Sequence, residues 1–313
     1  MIPRIRFDGP PTIAAEAEDE WTDLPPPIDA AGPVVQQGRQ ANRQLARQHY
    51  ENFLVTGFWL PRNVSVSMAD VYGFCRRADD AADESGSPEA AIVKLDAFKR
   101  DLRNSWQGSF ASPWWAALVD TARRHGITRR PLEELLDAFT QDQTHARYES
   151  FEPLIGYCRR SANPVGHLVL RIAGVDTTER RVAADQICTG LQLVNFWQDI
   201  RRDAAIGRIY VPRSVLDKFG LSEADMQRSD ASAAMRDMVR VLREQTEPFF
   251  AEGLSLTQTG IPKWLARSVR LFAAGGMATS KAIESVEHDV WRRRPKVSKA
   301  TQLRLVMREL FRL

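Results

Sequence analysis

A first group of acidic side chains at helical spacing lies at the predicted end of a helix. Asp79 and Asp83 are four residues apart, and so are Asp80 and Glu84. On an α-helix each pair lies on one face, where two like charges repel, and a helix C-terminus is a further unfavourable place for anions. A bound cation would relieve both effects, whereas the simpler alternative is an acidic helix end in contact with solvent. These four residues are therefore candidates for metal binding.

In a second group, oxygen-bearing side chains recur at every fourth residue. Asn195, Asp199 and Asp203 form a continuous stripe over two helical turns, and most of their neighbours are apolar. Carboxylate and carboxamide oxygens suit a hard ion such as Mg²⁺, which proteins usually hold through a few carboxylates together with substrate phosphates. The alternative is a buried network of ion pairs with Arg201 and Arg202. Two such groups in one chain favour the metal interpretation, with Mg²⁺ as the cofactor.

The chemistry that the two groups predict is the departure of a diphosphate. Arg76 and Arg208 stand beside the acidic residues, so metal ions and guanidinium groups together would neutralise the leaving group. The carbocation left behind needs an apolar, aromatic enclosure that excludes water. Tyr72, Tyr157 and Tyr210 lie next to motif residues and are candidates to stabilise that cation through their rings. Further candidates for the enclosure are the aromatic residues Phe53, Phe58, Trp59, Phe74, Phe139, Phe151, Phe196 and Trp197.

The elements that must position these residues are all predicted to be helices. Apolar residues recur with the period of a helix beyond residue 36, and no alternating β-branched run of useful length occurs. We therefore expect an all-α fold with one helical domain over residues 36–313. Residues 1–35 hold seven of the seventeen prolines, which predicts a disordered or loosely attached tail. The predicted helices span residues 37–56, 65–83, 89–106, 113–125, 131–146, 151–173, 179–204, 231–253, 262–290 and 298–312, with a loop containing short helical pieces over 205–230.

The composition excludes several classes of protein. The 43 basic residues nearly balance the 40 acidic ones, and no stripe of basic and aromatic residues occurs, so nucleic acid is not an expected partner. Three cysteines without a CxxC motif indicate a reducing compartment and argue against a disulfide framework or a thiolate zinc site. Since no apolar leader and no run of about 18 apolar residues is found, we expect a cytoplasmic protein.

The last predicted helix, within Lys296–Leu313, is basic. Leu303, Val306, Met307 and Leu310 lie on one side of it. Packing of this side into the protein core is the favoured interpretation. The alternative is that the helix makes the protein peripheral to the inner face of the cell membrane.

Four ordered motifs resemble those of the squalene/phytoene synthase family over about residues 40–295. They are His49-Tyr-Glu-Asn-Phe53, Tyr72 through Glu84, Tyr157-Cys158 with Ser161-Ala-Asn-Pro-Val-Gly166, and Gln192 through Pro212. The resemblance implies an isoprenoid synthase fold, which is a single large helical bundle around a central cavity. It also implies that the walls of this cavity include the two Asp-bearing helices.

The resemblance implies a role for each motif residue as well. The magnesium ligands or their close support would be Asp79, Asp83, Asn195, Asp199 and Asp203. The residues that bind a prenyl diphosphate substrate would be His49, Phe53, Arg76, Gln192, Arg208 and Tyr210. Tyr72 and Tyr157 would flank the carbocation as catalytic residues.

Within the family, the motifs are most similar to those of the hydroxysqualene synthases of bacterial hopanoid biosynthesis. Those enzymes ionise presqualene diphosphate and let water capture the rearranged cation. Glu51 stands where squalene and dehydrosqualene synthases tend to carry a basic residue, and Gln198 stands where they carry Arg. Both differences remove positive charge, which suits a substrate with one diphosphate, and Glu51 is a candidate to orient the water.

Two alternatives stay open. One is the head-to-head condensation of two prenyl diphosphates, such as farnesyl or geranylgeranyl diphosphate, by a squalene, dehydrosqualene or phytoene synthase. The other is a catalytically inactive helical assembly factor that uses the same fold. Other enzymes of the same pathway are candidate partners.

Overall fold

The computed structural model describes residues 23–48, 59–144 and 147–311 of the chain. Every regular element within these ranges is helical, which confirms the all-α prediction. The described residues form two compact units. The N-terminal unit comprises residues 23–48, 59–144 and 164–178, and the C-terminal unit comprises residues 147–163 and 179–311.

Twelve α-helices occur in the described ranges. They are α1 (Pro33–Gln48), α2 (Arg62–Asp83), α3 (Pro88–Ser105), α4 (Pro113–His125), α5 (Arg130–Thr144), α6 (Phe151–Ser161), α7 (Asn163–Ile172), α8 (Thr178–Ala205), α9 (Arg213–Lys218), α10 (Ala233–Gly253), α11 (Lys263–Ser285) and α12 (Lys299–Leu310). Two short 3-10 helices, Glu223–Gln227 and Leu254–Gln258, stand on either side of α10 in the chain. The predicted loop over 205–230 is thus confirmed as a loop with short helical pieces.

Local sequence signals account for many helix ends. The Ser87 side chain accepts a hydrogen bond from the backbone N–H of Ala90 at 3.2 Å, and Pro88 follows it at the first helical position of α3. Gly126 ends α4 in a left-handed conformation, with φ of 63°. These boundaries follow from residues within one turn of the helix end, and the sequence predicted them.

Other boundaries differ from the sequence prediction. The helix expected over 151–173 is two helices, because the chain leaves helical geometry at Ala162, two residues before Pro164. A proline has no N–H to donate, so a helix is readily interrupted just before it. The helix expected over 262–290 ends at Ser285, and Glu287 and His288 both take left-handed backbone conformations. The first helix begins at Pro33 rather than at residue 37.

The N-terminal unit is organised around α2, which packs against α1, α3, α4 and α5. Phe74 of α2 is fully buried, with its ring centre 5.4 Å from that of Phe98 and 6.0 Å from that of Trp115. Phe74 is therefore a core residue, although the sequence made it a candidate for the aromatic enclosure. Its packing fixes one face of α2 and leaves the opposite face for polar side chains.

The described part of the predicted tail contacts this unit. The backbone carbonyl of Asp23 accepts a hydrogen bond from Trp106 Nε1 at 3.1 Å, and its carboxylate lies 3.0 Å from Arg129. The carbonyl of Pro25 accepts from Arg123 at 3.3 Å. Residues from Asp23 onward are thus attached to the N-terminal unit.

In the C-terminal unit α10 packs on α11, and α11 packs on α12. Trp197 of α8 is fully buried and donates from Nε1 to the Thr246 hydroxyl on α10 at 2.8 Å. Trp197, like Phe74, is therefore a core residue. The described helices include none that combines the length and the apolar character needed to cross a bilayer.

The face that α12 buries differs from the predicted one. Val306 and Leu310 are half-buried, in agreement with packing, but Leu303 and Met307 are exposed. The prediction of core packing is therefore wrong for those two residues. The physical reason is an ion pair: the fully buried Glu309 carboxylate accepts from Arg270 Nε at 2.6 Å, which sets the rotation of α12 against α11.

Candidate active site

The first acidic group is the C-terminal end of α2, where Arg76 sits among the carboxylates. Its guanidinium lies 2.5 Å from Asp80, 3.5 Å from Asp79 and 3.8 Å from Glu84. The Arg76 side chain is only 28% exposed, whereas Glu84 is 71% exposed. Arg76 was predicted to hold a diphosphate, and the structure places it as the counter-ion of its own helix end. One cation among several carboxylates leaves this end of α2 acidic.

The opposite side of α2 is fixed by a buried carboxylate. Asp70 is fully buried and accepts hydrogen bonds from Asn42 Nδ2 of α1 and the Thr121 hydroxyl of α4, both at 2.8 Å. Burial raises the pKa of Asp70, while these two hydrogen bonds and the charges of Arg39 and Arg124 act in the opposite direction. Because the Asp70 carboxylate of α2 is hydrogen-bonded to both α1 and α4, it fixes the position of α2 against these two helices.

Arg77 adds a second anchor about two turns further along α2. It donates to Asn42 Oδ1 at 2.9 Å and to the backbone carbonyl of Gly73 at 2.8 Å. Its guanidinium carbon also lies 4.6 Å from the centre of a Trp114 ring. Neither Asp70 nor Arg77 was predicted from the sequence to support the site, although both lie within ten residues of Asp79.

The second acidic group lies at the end of α8, and its central member has a strong partner. Asp199 accepts two hydrogen bonds from Arg294, at 2.5 Å from Nε and 2.8 Å from Nη2. This is a bidentate pair of a carboxylate and a guanidinium, the strongest common form of side-chain ion pair. Asn195 is exposed, and Asp203 is half-buried. The sequence suggested Arg201 and Arg202 as ion-pair partners for this acidic group. The partner of Asp199 in the structure is Arg294, which is 95 positions away in the chain.

Arg294 belongs to a segment that we call the strap, residues 289–297, which follows α11 and lies along α8. Gln198 Nε2 donates to the backbone carbonyl of Pro295 at 2.6 Å, and Arg201 donates to the carbonyl of Trp291 at 2.6 Å. Trp291 is buried and donates to the carbonyl of Met226 at 3.1 Å. Gln198 therefore binds the strap to α8, and the strap in turn places the guanidinium of Arg294 at Asp199.

A cavity of about 290 Å³ opens beside this ion pair. Its lining is rich in arginine: Arg201, Arg202, Arg292, Arg293 and Arg294. The triple arginine before Pro295 was the sequence signal that could have pointed to this surface. Gln198 lacks the positive charge of the Arg that squalene and dehydrosqualene synthases are expected to carry there, and the strap supplies such charge from another part of the chain.

Aromatic rings gather around the loop that follows the second acidic group. The rings of Phe196 and Tyr210 are stacked, with centres 3.9 Å apart, and the Tyr157 ring lies 5.7 Å from that of Tyr210. Tyr148 joins them at 5.8 Å from Tyr157. All four side chains are buried. Tyr157, Phe196 and Tyr210 were predicted to belong to one aromatic surface, whereas Tyr148 was not.

Polar atoms without hydrogen-bond partners lie next to this aromatic cluster in the chain. Asn163 is 1% exposed, and its Oδ1 accepts from the Thr189 hydroxyl at 3.1 Å, but its Nδ2 has no partner. The buried hydroxyl of Ser161, one helical turn after Tyr157 on α6, also lacks a partner. Buried polar atoms of this kind are usually satisfied by an ordered water or a ligand.

The predicted site residues are divided between the two units. The N-terminal unit carries Tyr72, Arg76, Asp79 and Asp83. The C-terminal unit carries Tyr157, Gln192, Asn195, Asp199, Asp203, Arg208 and Tyr210. His49, Glu51 and Phe53 lie outside the described residues.

A sequence profile of the squalene/phytoene synthase family matches residues 46–301. The chain belongs to the squalene/phytoene synthase family. This confirms the resemblance of the motifs and makes the chain a member of a family of synthases that condense prenyl diphosphates head to head. Members of this family act on prenyl diphosphates and depend on divalent metal ions.

Named relatives of this chain within the family catalyse different reactions. A phytoene synthase of Mycobacterium bovis is 32% identical over 247 residues, which are 77% of this chain and 78% of that protein. A hydroxysqualene synthase of Rhodopseudomonas palustris is 34% identical over 209 residues, 66% of this chain and 70% of that protein. The crystal structure of squalene synthase HpnC from Alicyclobacillus acidocaldarius superimposes with a TM-score of 0.75 and 37% identity, over 82% of this chain and 97% of that one. The isoprenoid synthase fold is thereby confirmed.

The donors of the chain fit a magnesium ion that arrives together with a diphosphate. Solvent reaches the carboxylates at the end of α2, since 43% of the Asp79 side chain is exposed. Within the described residues, no three His, Cys, Asp or Glu side chains converge into a complete metal site. Magnesium sites in such enzymes commonly combine one or two carboxylates with waters and substrate phosphates. Scattered, accessible carboxylates of this kind suit that mode of binding.

Proposed function

We propose that this protein converts presqualene diphosphate and water into hydroxysqualene and diphosphate. The carbon–oxygen bond to the diphosphate breaks, and its electron pair leaves on the diphosphate oxygen. The rearranged carbocation then forms a bond to the oxygen of a water molecule, which loses one proton. The proposal places the protein in squalene and hopanoid biosynthesis.

The observation that carries the proposal is two unsatisfied polar atoms that follow Tyr157 of the aromatic cluster closely in the chain. Ser161 Oγ and Asn163 Nδ2 are buried without partners, and Tyr157 lies one turn before Ser161 on the same helix. A water held by such atoms would stand close to rings suited to a cation. Condensation of two prenyl diphosphates needs no such water. The similarity to a hydroxysqualene synthase supports the same conclusion.

Binding of the diphosphate would use cations and amides from both acidic motifs. Arg76, Gln192 and Arg208 are the proposed contacts, because guanidinium and amide N–H groups donate to phosphate oxygens. The proposed magnesium ligands are Asp79, Asp83, Asn195, Asp199 and Asp203. Bound Mg²⁺ would supply the positive charge that stabilises the departing diphosphate.

Protection of the carbocation would fall to aromatic side chains. Tyr157, Tyr210 and Phe196 present a buried stack of rings, and Tyr72 is proposed to contribute another ring from α2. Glu51 is proposed to orient the water and accept its proton. His49 is proposed to contact the diphosphate or the water, and Phe53 to contact the prenyl chain.

Product analysis tests this proposal directly. Purified protein with Mg²⁺ is expected to convert presqualene diphosphate to hydroxysqualene, detected by mass spectrometry with incorporation of ¹⁸O from labelled water. Ser161→Ala and Glu51→Gln should lower the hydroxylated fraction of the product more than they lower diphosphate release. If both variants give the wild-type product ratio, the proposed water site is wrong.

The second candidate is head-to-head condensation, which the similarity to a phytoene synthase favours. In this case farnesyl or geranylgeranyl diphosphate would be consumed without presqualene diphosphate, and the product would contain no oxygen from water. The same incubation with each of these substrates decides between the two reactions.

The acidic motifs are tested by charge-neutral variants. Asp79→Asn and Asp199→Asn are each expected to reduce metal-dependent diphosphate release by about a hundredfold or more, since each removes a charged oxygen donor from the transition state. Asp96→Asn, at an exposed position on α3, is the matched control and should keep wild-type activity. An inactive assembly factor would release no diphosphate in any of these proteins.

A further inference from the structure

The outward face of α12 exposes a stripe of large apolar side chains. Leu303, Met307 and Phe311 recur at every fourth position and are 62%, 41% and 75% exposed. At this spacing Leu303 and Met307 lie along one side of α12, and Phe311, the residue at its C-terminal cap, continues that line. Eight large apolar residues are exposed in the described part of the chain, and three of them form this one stripe.

Basic side chains border the stripe. Lys299, Arg304 and Arg308 are all exposed on the same helix. By helical geometry Lys299 continues the line of the stripe one turn before Leu303, and the two arginines lie along one side of it. A row of exposed apolar side chains with cations beside it is the pattern of helices that lie in the plane of a membrane surface.

The acidic side chain of α12 is turned the other way. Glu309 is the only acidic residue of this helix, and it is fully buried. Its carboxylate accepts from Arg270 Nε at 2.6 Å, and its backbone carbonyl accepts from Arg267 Nε at 3.1 Å, both on α11. Arg308 Nε also lies 3.4 Å from this carboxylate, but the Arg308 side chain is 60% exposed. The packing of α12 thus buries its negative charge and leaves its cations exposed together with the apolar stripe.

We propose that α12 is an interfacial helix that binds the surface of an anionic lipid bilayer. Leu303, Met307 and Phe311 would enter the boundary between head groups and acyl chains, and the cations beside them would contact lipid phosphates. A second copy of the chain fits this face poorly, because its own Lys299, Arg304 and Arg308 would meet like charges. The proposal concerns a surface of the C-terminal unit and holds whichever prenyl diphosphate is the substrate.

Vesicle binding of the full-length protein tests the proposal. Co-sedimentation is measured with vesicles of phosphatidylcholine alone and with vesicles in which one-third of the lipid is phosphatidylglycerol. We expect binding to the anionic vesicles, little binding to the neutral ones, and weaker binding at high salt, because salt screens exposed charges.

Three variants separate the contributions. The triple variant Leu303→Ser, Met307→Ser, Phe311→Ser should weaken binding to anionic vesicles by about tenfold or more. Arg304→Gln should weaken it by about fivefold. The matched control is the double variant Val34→Ser, Val93→Ser, at exposed apolar positions on α1 and α3, which should bind like the wild type. Circular dichroism and the thermal midpoint check that every variant is folded.

Several outcomes would overturn the proposal. They are equal binding to neutral and anionic vesicles, unchanged binding by the triple variant, and a self-association in sedimentation equilibrium that the triple variant abolishes. Diphosphate release measured in detergent micelles should be the same in all of these variants. Loss of vesicle binding with retained release therefore tests α12 alone, whereas absence of release in the wild type counts against the proposed reaction and leaves the membrane result intact.

Discussion

At the residue scale, the pair of Asp199 and Arg294 presents a competition. The carboxylate that the proposed function assigns to Mg²⁺ already accepts two hydrogen bonds from a guanidinium. A carboxylate oxygen that binds a metal ion must give up part of such a pair. The free energy needed to break the ion pair with Arg294 therefore weakens the binding of Mg²⁺ by Asp199.

Replacement of Arg294 measures this competition. Arg294→Gln is expected to lower the Mg²⁺ concentration for half-maximal diphosphate release by about fivefold, since a partly exposed ion pair with bidentate geometry is worth about 1 kcal/mol. Titration of activity with Mg²⁺ at fixed substrate provides the measurement. Arg292→Gln is the matched control, because Arg292 lies in the same strap but faces Asp289. A higher Mg²⁺ requirement in Arg294→Gln would show instead that Arg294 assists binding.

At the element scale, α2 is held by close approach and by buried polar contacts. Gly38 of α1 faces α4 so closely that a methyl group at this position would overlap the backbone carbonyl of Pro113. Asn42, one turn later on α1, donates to the buried Asp70 of α2. The close contact of α1 with α4 is thus a condition for the hydrogen bonds that seat α2.

Glycine replacement tests this contact. Gly38→Ala should lower the free energy of unfolding by about 1–3 kcal/mol, because the backbone of Pro113 cannot move as a side chain could. Gly275→Ala on α11 is the matched control: nothing lies within 4 Å of the added methyl group, so the higher helix propensity of alanine should stabilise the protein by about 0.5–1 kcal/mol. Urea unfolding of both variants gives the comparison. Equal effects at the two glycines would contradict the account.

The same helices carry a histidine whose protonation opposes folding. His125, at the end of α4, lies 3.0 Å from the Ser67 hydroxyl of α2. Burial and then the charge of Arg124 lower the pKa of His125 below its usual 6.5, with Asp120 acting against them. The folded state thus binds this proton less readily than the unfolded state does, and its contribution to stability is lost as the pH falls below about 6.5.

A pH series of unfolding measurements checks this sign. The wild type should lose stability between pH 7 and pH 5 more steeply than His125→Gln does, because glutamine has no proton to gain. His288 is common to both proteins, and burial lowers its pKa as well, so only the difference between the two curves is informative. Parallel curves would exclude His125 as the source.

At the scale of the whole molecule, each compact unit carries one of the two acidic motifs. The proposed reaction requires both, since metal ions and diphosphate would be bound through residues of α2 and α8. Binding to the native state alone stabilises a protein by mass action. A ligand whose binding depends on both motifs should therefore raise the free energy of unfolding of the whole chain.

Thermal unfolding with the reaction product measures this dependence. Mg²⁺ together with inorganic diphosphate, at about one hundred times the dissociation constant, should add about 2.7 kcal/mol to the free energy of unfolding. Either component alone should add much less, and a chelator should reverse the effect. Asp79→Asn and Asp199→Asn should each remove most of it, whereas Asp96→Asn should not. Stabilisation that survives in either motif variant would mean that one motif suffices.

The sequence by itself determined the helical fold and the spacing of the two acidic groups. The period of apolar residues, the prolines and serines at helix starts and the glycines at helix ends all act within a few residues. The stripe of Asn195, Asp199 and Asp203 likewise follows from the pitch of a single helix. The family membership that these motifs predicted was confirmed by the match of residues 46–301 to the family profile.

Only the tertiary structure decided which distant groups these residues meet. The partner of Asp199 is Arg294, the aromatic cluster includes Tyr148, and Phe74 is a core residue of its unit. The rotation of α12 was also decided by packing, because the buried Glu309 carboxylate accepts a hydrogen bond from Arg270 on α11. Such contacts join segments that are far apart in the chain. The periodicity of one helix shows which of its faces is apolar, but it does not show which other helix or side chain will pack against that face.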